Sequence, residues 1–220
     1  MFWCEYPRDV IQVHGPDAAS YLQSQLSQDL RPVAVGDSVW SMVLQPTGKV
    51  DVLLRVFRTG DETFVLDTDA GYGDELIARL NRFKIRVKVD ITTLDWSCIA
   101  VRGDVQAPEG AVVAWGDGYD LLGPAPLPPE GVEHGDAAQL LAARVDAVWP
   151  QMGTEIVPGE TIPAETGITD VAVSYTKGCY PGQELVERMD SRGAAPPRRL
   201  QRVVSASGEA TLAYVKRGAQ

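Results

Sequence analysis

The chain has 220 residues, 45% of them hydrophobic and 23% charged, which is enough to close a core and too apolar for a disordered chain. Its formal charge of −10 excludes broad nonspecific affinity for nucleic acid, because neutralising phosphates requires clustered cations. No apolar run approaches the roughly 18 residues of a membrane span, and Met1–Val10 carries acids and a proline where a signal peptide needs a basic end and an apolar stretch. A cytoplasmic protein is therefore expected.

In chain order, "DVIQVH" (9–14) alternates like a strand, and Gly15-Pro16-Asp17 opens "AASYLQSQL", where Ala18, Tyr21, Leu22, Gln25 and Leu26 keep helical spacing. "VWSMVLQ", "VDVLLRVFR" and "TFVLDTD" read as a three-stranded meander, turned at Pro46–Lys49 and at Gly60–Glu62. "DELIARLNRF" (74–83) places Leu76, Ile77, Leu80 and Phe83 on one helical face, after which "IRVKVDITTLDWSCIAV" returns to strand chemistry. "GPAPLPPEG" (123–131) is a loop, and "DAAQLLAARVDAVWP" (136–150) predicts a helix passing into a strand. "GQELVERM" predicts a helix and Ser191–Pro197 a loop, followed by two strands, "LQRVV" and "ATLAYVK". Strands joined by hairpins and mixed with helices predict an α+β fold with antiparallel sheets.

Common signatures are missing. Gly71-Tyr72-Gly73 is followed by Leu76 where a dinucleotide fingerprint needs its third glycine, and Gly48-Lys49 runs into Val50 instead of Ser or Thr. Cys4, Cys98 and Cys179 contain no C-x-x-C pair, and with only His14 and His134 available neither a disulfide framework nor a self-contained metal centre is signalled. Charge is unevenly spread. From Tyr175 onward eight Lys or Arg face four acids, a net of +4 that leaves −14 on the rest; this end reads either as a solvated face or as a surface for an anionic ligand or RNA.

The stretch "KGCYPGQE", Lys177–Glu184, stands apart. Gly178 and Gly182 permit tight backbone, Pro181 favours a helix opening, and Gln183-Glu184 can satisfy first-turn amides. A helix N-terminus and Lys177 would together favour the thiolate of Cys179, yet a free cysteine is as often a packing residue, and local physics leaves both readings open.

This stretch resembles the K-G-C-[FY]-x-G-Q-E signature of the YgfZ-type folate-binding family, relatives of the aminomethyltransferase (T-protein) of the glycine cleavage system. "VHGPDAASYLQSQLSQDL", "IPAETGI" and "ERMDSRG" resemble its flanks, so the resemblance covers most of Val10–Leu200. It implies interlocked ferredoxin-like, T-protein-like α+β domains around a central folate channel, divided as 1–40 with 137–193, 41–136, and 194–220. The family's C-terminal β-barrel would be largely missing, since only 23 residues follow Pro197.

The resemblance also implies tetrahydrofolate as cofactor, with iron-sulfur proteins and tRNA-modifying enzymes as partners in cluster assembly or repair and linked tRNA modification. Cys179 is then the functional thiol, with Lys177 beside it. Gln183, Glu184 and Arg188 shape the site, and Asp146 in "RVDAVWP" resembles the pterin-binding acid, next to Arg144. Asp51 resembles a position in a hairpin where the transferases carry adjacent aspartates; here Val52 follows it. Two other readings are a folate-dependent one-carbon transferase and a non-catalytic RNA- or protein-binding module. A second copy of the chain is a candidate partner in place of the barrel.

Overall fold

The computed structural model describes residues 1–191 and 196–218, apart from the side chain of Asp190. In chain order the elements are β1 (Phe2–Glu5), β2 (Arg8–His14), α1 (Ala18–Gln25), β3 (Ser38–Leu44), β4 (Val50–Arg58), β5 (Thr63–Asp69), α2 (Gly73–Phe83), β6 (Asp90–Leu94) and β7 (Ser97–Arg102). There follow β8 (Gly118–Gly123), β9 (Glu133–His134), α3 (Ala137–Asp146), the short α4 (Pro163–Thr166) and α5 (Thr169–Ala172), α6 (Gln183–Ser191), β10 (Arg198–Val204) and β11 (Ala210–Lys216).

A five-stranded antiparallel sheet has the order β3-β4-β5-β2-β6. The predicted meander forms its first three strands. Residue alternation on β4 decides what each face carries: Val52, Leu54 and Val56 join Leu22, Leu26, Leu76 and Leu80 in a core beneath α1 and α2. Leu53 and Arg55 point the other way.

That other face meets a second sheet, β8-β7-β1-β9, antiparallel except for the parallel β1/β9 pair. Between the sheets lies a core containing Tyr6, Trp40, Met42, Leu53, Cys98, Ala100, Trp115, Trp149 and Met152. The β10/β11 hairpin forms a third, two-stranded sheet, and no closed barrel is present among the described residues. The α+β class and the antiparallel sheets agree with the sequence reading.

Several expectations need correction. The expected division at residue 40 is crossed by the first sheet, because β2 pairs with both β5 and β6. The long run 85–101 is two strands, with 84–89 irregular and Arg86 at φ 58. No strand directly follows α3, where Val148 turns the chain at φ 51 ahead of the short α4. The expected loop 191–197 falls in part on 192–195, outside the described residues. Strands β1, β8 and β9, unread in the sequence, build most of the second sheet.

Candidate functional site

The signature is held to the body at two points, and Cys179 lies between them. Lys177 is buried to 9% exposure, and its Nζ donates to the carbonyls of Gln23 (2.7 Å), Leu26 (2.5 Å) and Gln28 (3.0 Å) at the C-terminal end of α1. Carbonyls orphaned at a helix end carry partial negative charge, which is where a cation belongs. Its ammonium also lies 5.2 Å from the Tyr180 ring centroid. Burial pushes the Lys177 amine down to about 8. The charge expected to stand by Cys179 is thus turned inward by three better acceptors.

The second hold is glycine on glycine. Gly182 sits at φ 84, and a Cβ there would lie 2.3 Å from the Gln45 carbonyl oxygen and 3.0 Å from Gly48 Cα. Gly48, also at φ 84, would direct a Cβ to within 2.4 Å of Leu185 Cβ. The β3–β4 turn and the start of α6 therefore approach each other as only glycine allows. Gln183 closes the turn: its Oε1 accepts from the Tyr180 amide at 2.8 Å. Tyr180 is buried in the central core, whereas Cys179 is the exposed one of the three cysteines. Glu184 and Arg188 are exposed on α6.

The remaining predicted residues lie elsewhere. The ladder steps from Val43↔Val52 to Leu44↔Val50, leaving Asp51 as the extra residue of a β-bulge. The bulge sends Asp51 toward α2, where it accepts from Arg79 Nε at 3.3 Å; Arg79 also donates to the Leu44 carbonyl and stacks 3.9 Å from the Phe83 centroid. Arg144 is buried and committed to Glu155 (2.7 Å) and the Trp149 carbonyl (2.9 Å). Asp146 is exposed, paired with Arg202 of β10 at 2.8 Å. Lys177 and Cys179 thus share one loop, with Gln183, Glu184 and Arg188 on the adjoining helix, while Asp51, Arg144 and Asp146 belong to other surroundings.

Unread in the sequence is a chain of buried charge between the sheets. Arg8 binds Asp69 and Asp67 (2.7 Å to the latter), and Arg55 binds Asp67 (2.8 Å) and Asp120 (2.7 Å). Arg102 binds Asp120 at 2.6 Å. Three cations meet three anions. Burial opposes ionisation of Asp67 but is outweighed by Arg55 and Arg8, so its carboxyl stays below the ordinary range. The available signal was an arginine inside the apolar run "VDVLLRVFR" and aspartates inside "FVLDTD", since such residues need partners when buried.

Two cavities adjoin this network. The larger, about 610 Å³, is walled by Trp3, Tyr6, Trp96 and the prolines of the 124–128 loop, and its cation Arg8 has Nε, Nη1 and Nη2 all bonded. The other, about 460 Å³, lies between the second sheet and α3, with Phe2, Arg102, Trp115, Asp146 and Ala147 on its walls. There the Nε and Nη2 of Arg102 have no partner. Apolar walls and an acid at the rim fit the flat body of a folate-like molecule. Among the described residues no cluster of three or more His, Cys, Asp or Glu is placed to hold a metal ion, and no helix is long and apolar enough to cross a membrane.

Residues 9–107 match the GCVT N-terminal domain model. An uncharacterized Haemophilus influenzae protein is 30% identical over 190 residues, covering 84% of this chain and 67% of that protein. The chain belongs to the YgfZ/IBA57-type, GCVT-like family. Within that family, the mitochondrial iron-sulfur cluster assembly factor IBA57 homolog of Pyricularia oryzae is 27% identical, covering 88% of this chain and 54% of that protein. The tRNA-modifying protein YgfZ of Serratia proteamaculans is 24% identical over 84% of this chain and 65% of its own. The chain thus spans about half to two thirds of the length of the curated relatives it matches. The fold is that of the glycine cleavage system aminomethyltransferase T from Bartonella henselae, with a TM-score of 0.72 at 18% identity over 94% of this chain and 71% of that structure.

Proposed function

We propose that this chain is a cytoplasmic, tetrahydrofolate-binding accessory protein in iron-sulfur cluster assembly or repair and the tRNA modification linked to it, acting through Cys179. The names of the IBA57 and YgfZ relatives support the process. The observation that carries the role of the cysteine is its presentation. Cys4 and Cys98 are buried, with burial raising both thiols and taking Cys98 up to about 12, whereas Cys179 is exposed on a loop fixed on either side.

Folate, when bound, supplies a one-carbon carrier. Asp146 at the rim would hold it, with Phe2 and Trp115 as the apolar walls. Lys177 and Gln183 keep the loop in one conformation, so the Cys179 sulfur meets a cluster or a cluster-bearing protein without an ordering cost. Glu184 and Arg188 flank it as the exposed polar groups a partner would meet. Asp51 is paired with Arg79 and is followed by Val52 in place of a second aspartate, which weighs against a complete aminomethyl transfer reaction.

The test is complementation in cells lacking the endogenous homologue, scored by cluster-dependent tRNA thiolation. Cys179→Ala at equal abundance should lose activity, and retained activity would sink the cysteine role. Calorimetry with tetrahydrofolate separately decides the cofactor.

A further inference from the structure

We infer that the outer edge of β11 seats a second copy of this chain, the two β11 strands pairing antiparallel about a two-fold axis at Ala213 so that two hairpins become one four-stranded sheet.

The β10/β11 hairpin is a two-stranded sheet, so each of its strands has an edge without a neighbouring strand. β11, "ATLAYVK", runs seven residues in unbroken register with no proline, no bulge and its one charge at the end, and none of its residues is buried. Strand edges of that kind are normally blunted or covered. Elsewhere in this molecule they are. Leu26 bridges Val43 and the Ser27 amide donates to the Met42 carbonyl beside β3, while Val112 and Asp120 exchange backbone hydrogen bonds beside β8. β9 has two residues, and β6 opens on Asp90. β10 carries three arginines, of which Arg198 is held by Glu165 and Arg202 by Asp146. Among the described strands, β11 is the long apolar edge left uncovered.

The hairpin's own bonds fix which backbone groups point outward. The Ser205 amide donates to the Glu209 carbonyl (2.8 Å) and the Arg217 amide to the Pro197 carbonyl (3.1 Å). Hydrogen-bonded pairs alternate along an antiparallel ladder, so Thr211, Ala213 and Val215 turn their amides and carbonyls to β10, and Ala210, Leu212, Tyr214 and Lys216 turn theirs away. No backbone group among the described residues takes them up. They are the donors and acceptors that an added strand requires.

The side chains commit this edge to a second copy, because they complement themselves. With the axis at Ala213, Leu212 lies opposite Tyr214 of the second copy, Thr211 opposite Val215, and Glu209 opposite Arg217, each contact occurring twice by symmetry. Glu209 and Arg217 are exposed. The alanine at the axis forms a pair without hydrogen bonds, where facing side chains come closest and a small one fits. Registers centred on Leu212 or Tyr214 instead set Glu209 against Val215 or Arg217 against Thr211, so charge selects the register centred on Ala213.

Sedimentation velocity on the full chain should show monomer and dimer exchanging with concentration in the micromolar range, as a small interface dictates. Glu209→Arg sets arginine against arginine and Arg217→Glu sets glutamate against glutamate, and each alone should weaken the dimer about tenfold. An equimolar mixture of the two variants should form a heterodimer as tight as the wild-type dimer, since every facing pair in it again joins opposite charges. Leu212→Pro removes an outward amide that the hairpin does not use, and should leave a monomer. In amide exchange, Ala213 and Val215 should be protected at every concentration, and Leu212 and Tyr214 only where the dimer forms. A chain that stays monomeric, a dimer indifferent to both charge reversals, or a dimer whose Leu212 and Tyr214 amides exchange as freely as the monomer's would each overturn the inference.

Discussion

Two regions of this molecule solve opposite problems. Between the sheets, three arginines and three aspartates are removed from water and compensate one another, so each charge depends on its neighbours. At the signature the polar contacts are few, Lys177 to the end of α1 and Gln183 to Tyr180, and one side chain, Cys179, is left outside them. The first region is costly to disturb and has little freedom; the second anchors its flanks so that one exposed group can be changed almost without structural consequence. Removing charge should therefore be worst between the sheets, removing glycine intermediate, and removing the cysteine harmless to the fold.

The largest effect is expected from Asp120→Ala, which leaves Arg102 without a carboxylate and Arg55 with Asp67 alone, and should cost about 3–5 kcal/mol in urea denaturation. An unchanged urea midpoint would mean that the network is not intact in solution. Gly182→Ala should cost about 1–3 kcal/mol, because the left-handed backbone and the Gln45 carbonyl both oppose a Cβ. Gly178→Ala, with no atom within 4 Å of its Cβ position, should stay within about 0.5 kcal/mol and serves as the control in the same loop.

Lys177 connects the two kinds of region, a buried charge inside the signature. Its amine is lowered from the ordinary 10.5 to about 8, so the unfolded chain binds the proton more tightly than the folded one. The resulting cost is full below about pH 8 and is relieved as pH rises toward 10.5. The stability difference between wild type and Lys177→Gln should accordingly shift in favour of wild type across that window; a difference independent of pH would contradict the lowered value. Smallest of all, Cys179→Ala should leave stability within about 0.5 kcal/mol. A thiol reagent should label one cysteine in the folded wild type, none in Cys179→Ala, and all three only on unfolding.

Much of the scaffold was legible because periodicity and burial agree. The β3–β5 meander, α1, α2 and the β10/β11 hairpin follow from alternating or helically spaced apolar residues bounded by turns. The short strands β1 and β9 were not legible, since two to four residues carry too little pattern and their pairing partners are distant in the chain. Asp51, named through the resemblance, lies against Arg79 of α2 because a one-residue bulge re-aims its side chain, and alternation in the sequence does not show a bulge.

By itself the sequence determined the longer elements, the α+β class and the signature with its lone cysteine, because propensity, period and turn chemistry are local properties. Tertiary structure decided which charges meet. Lys177 faces α1 instead of its neighbour Cys179, Arg144 and Asp146 diverge although two residues apart, and Arg102 ends a chain of ion pairs begun at residue 8. Ion pairing depends on distances of a few ångströms between strands far apart in the chain, and that information exists only once the two sheets have closed on each other.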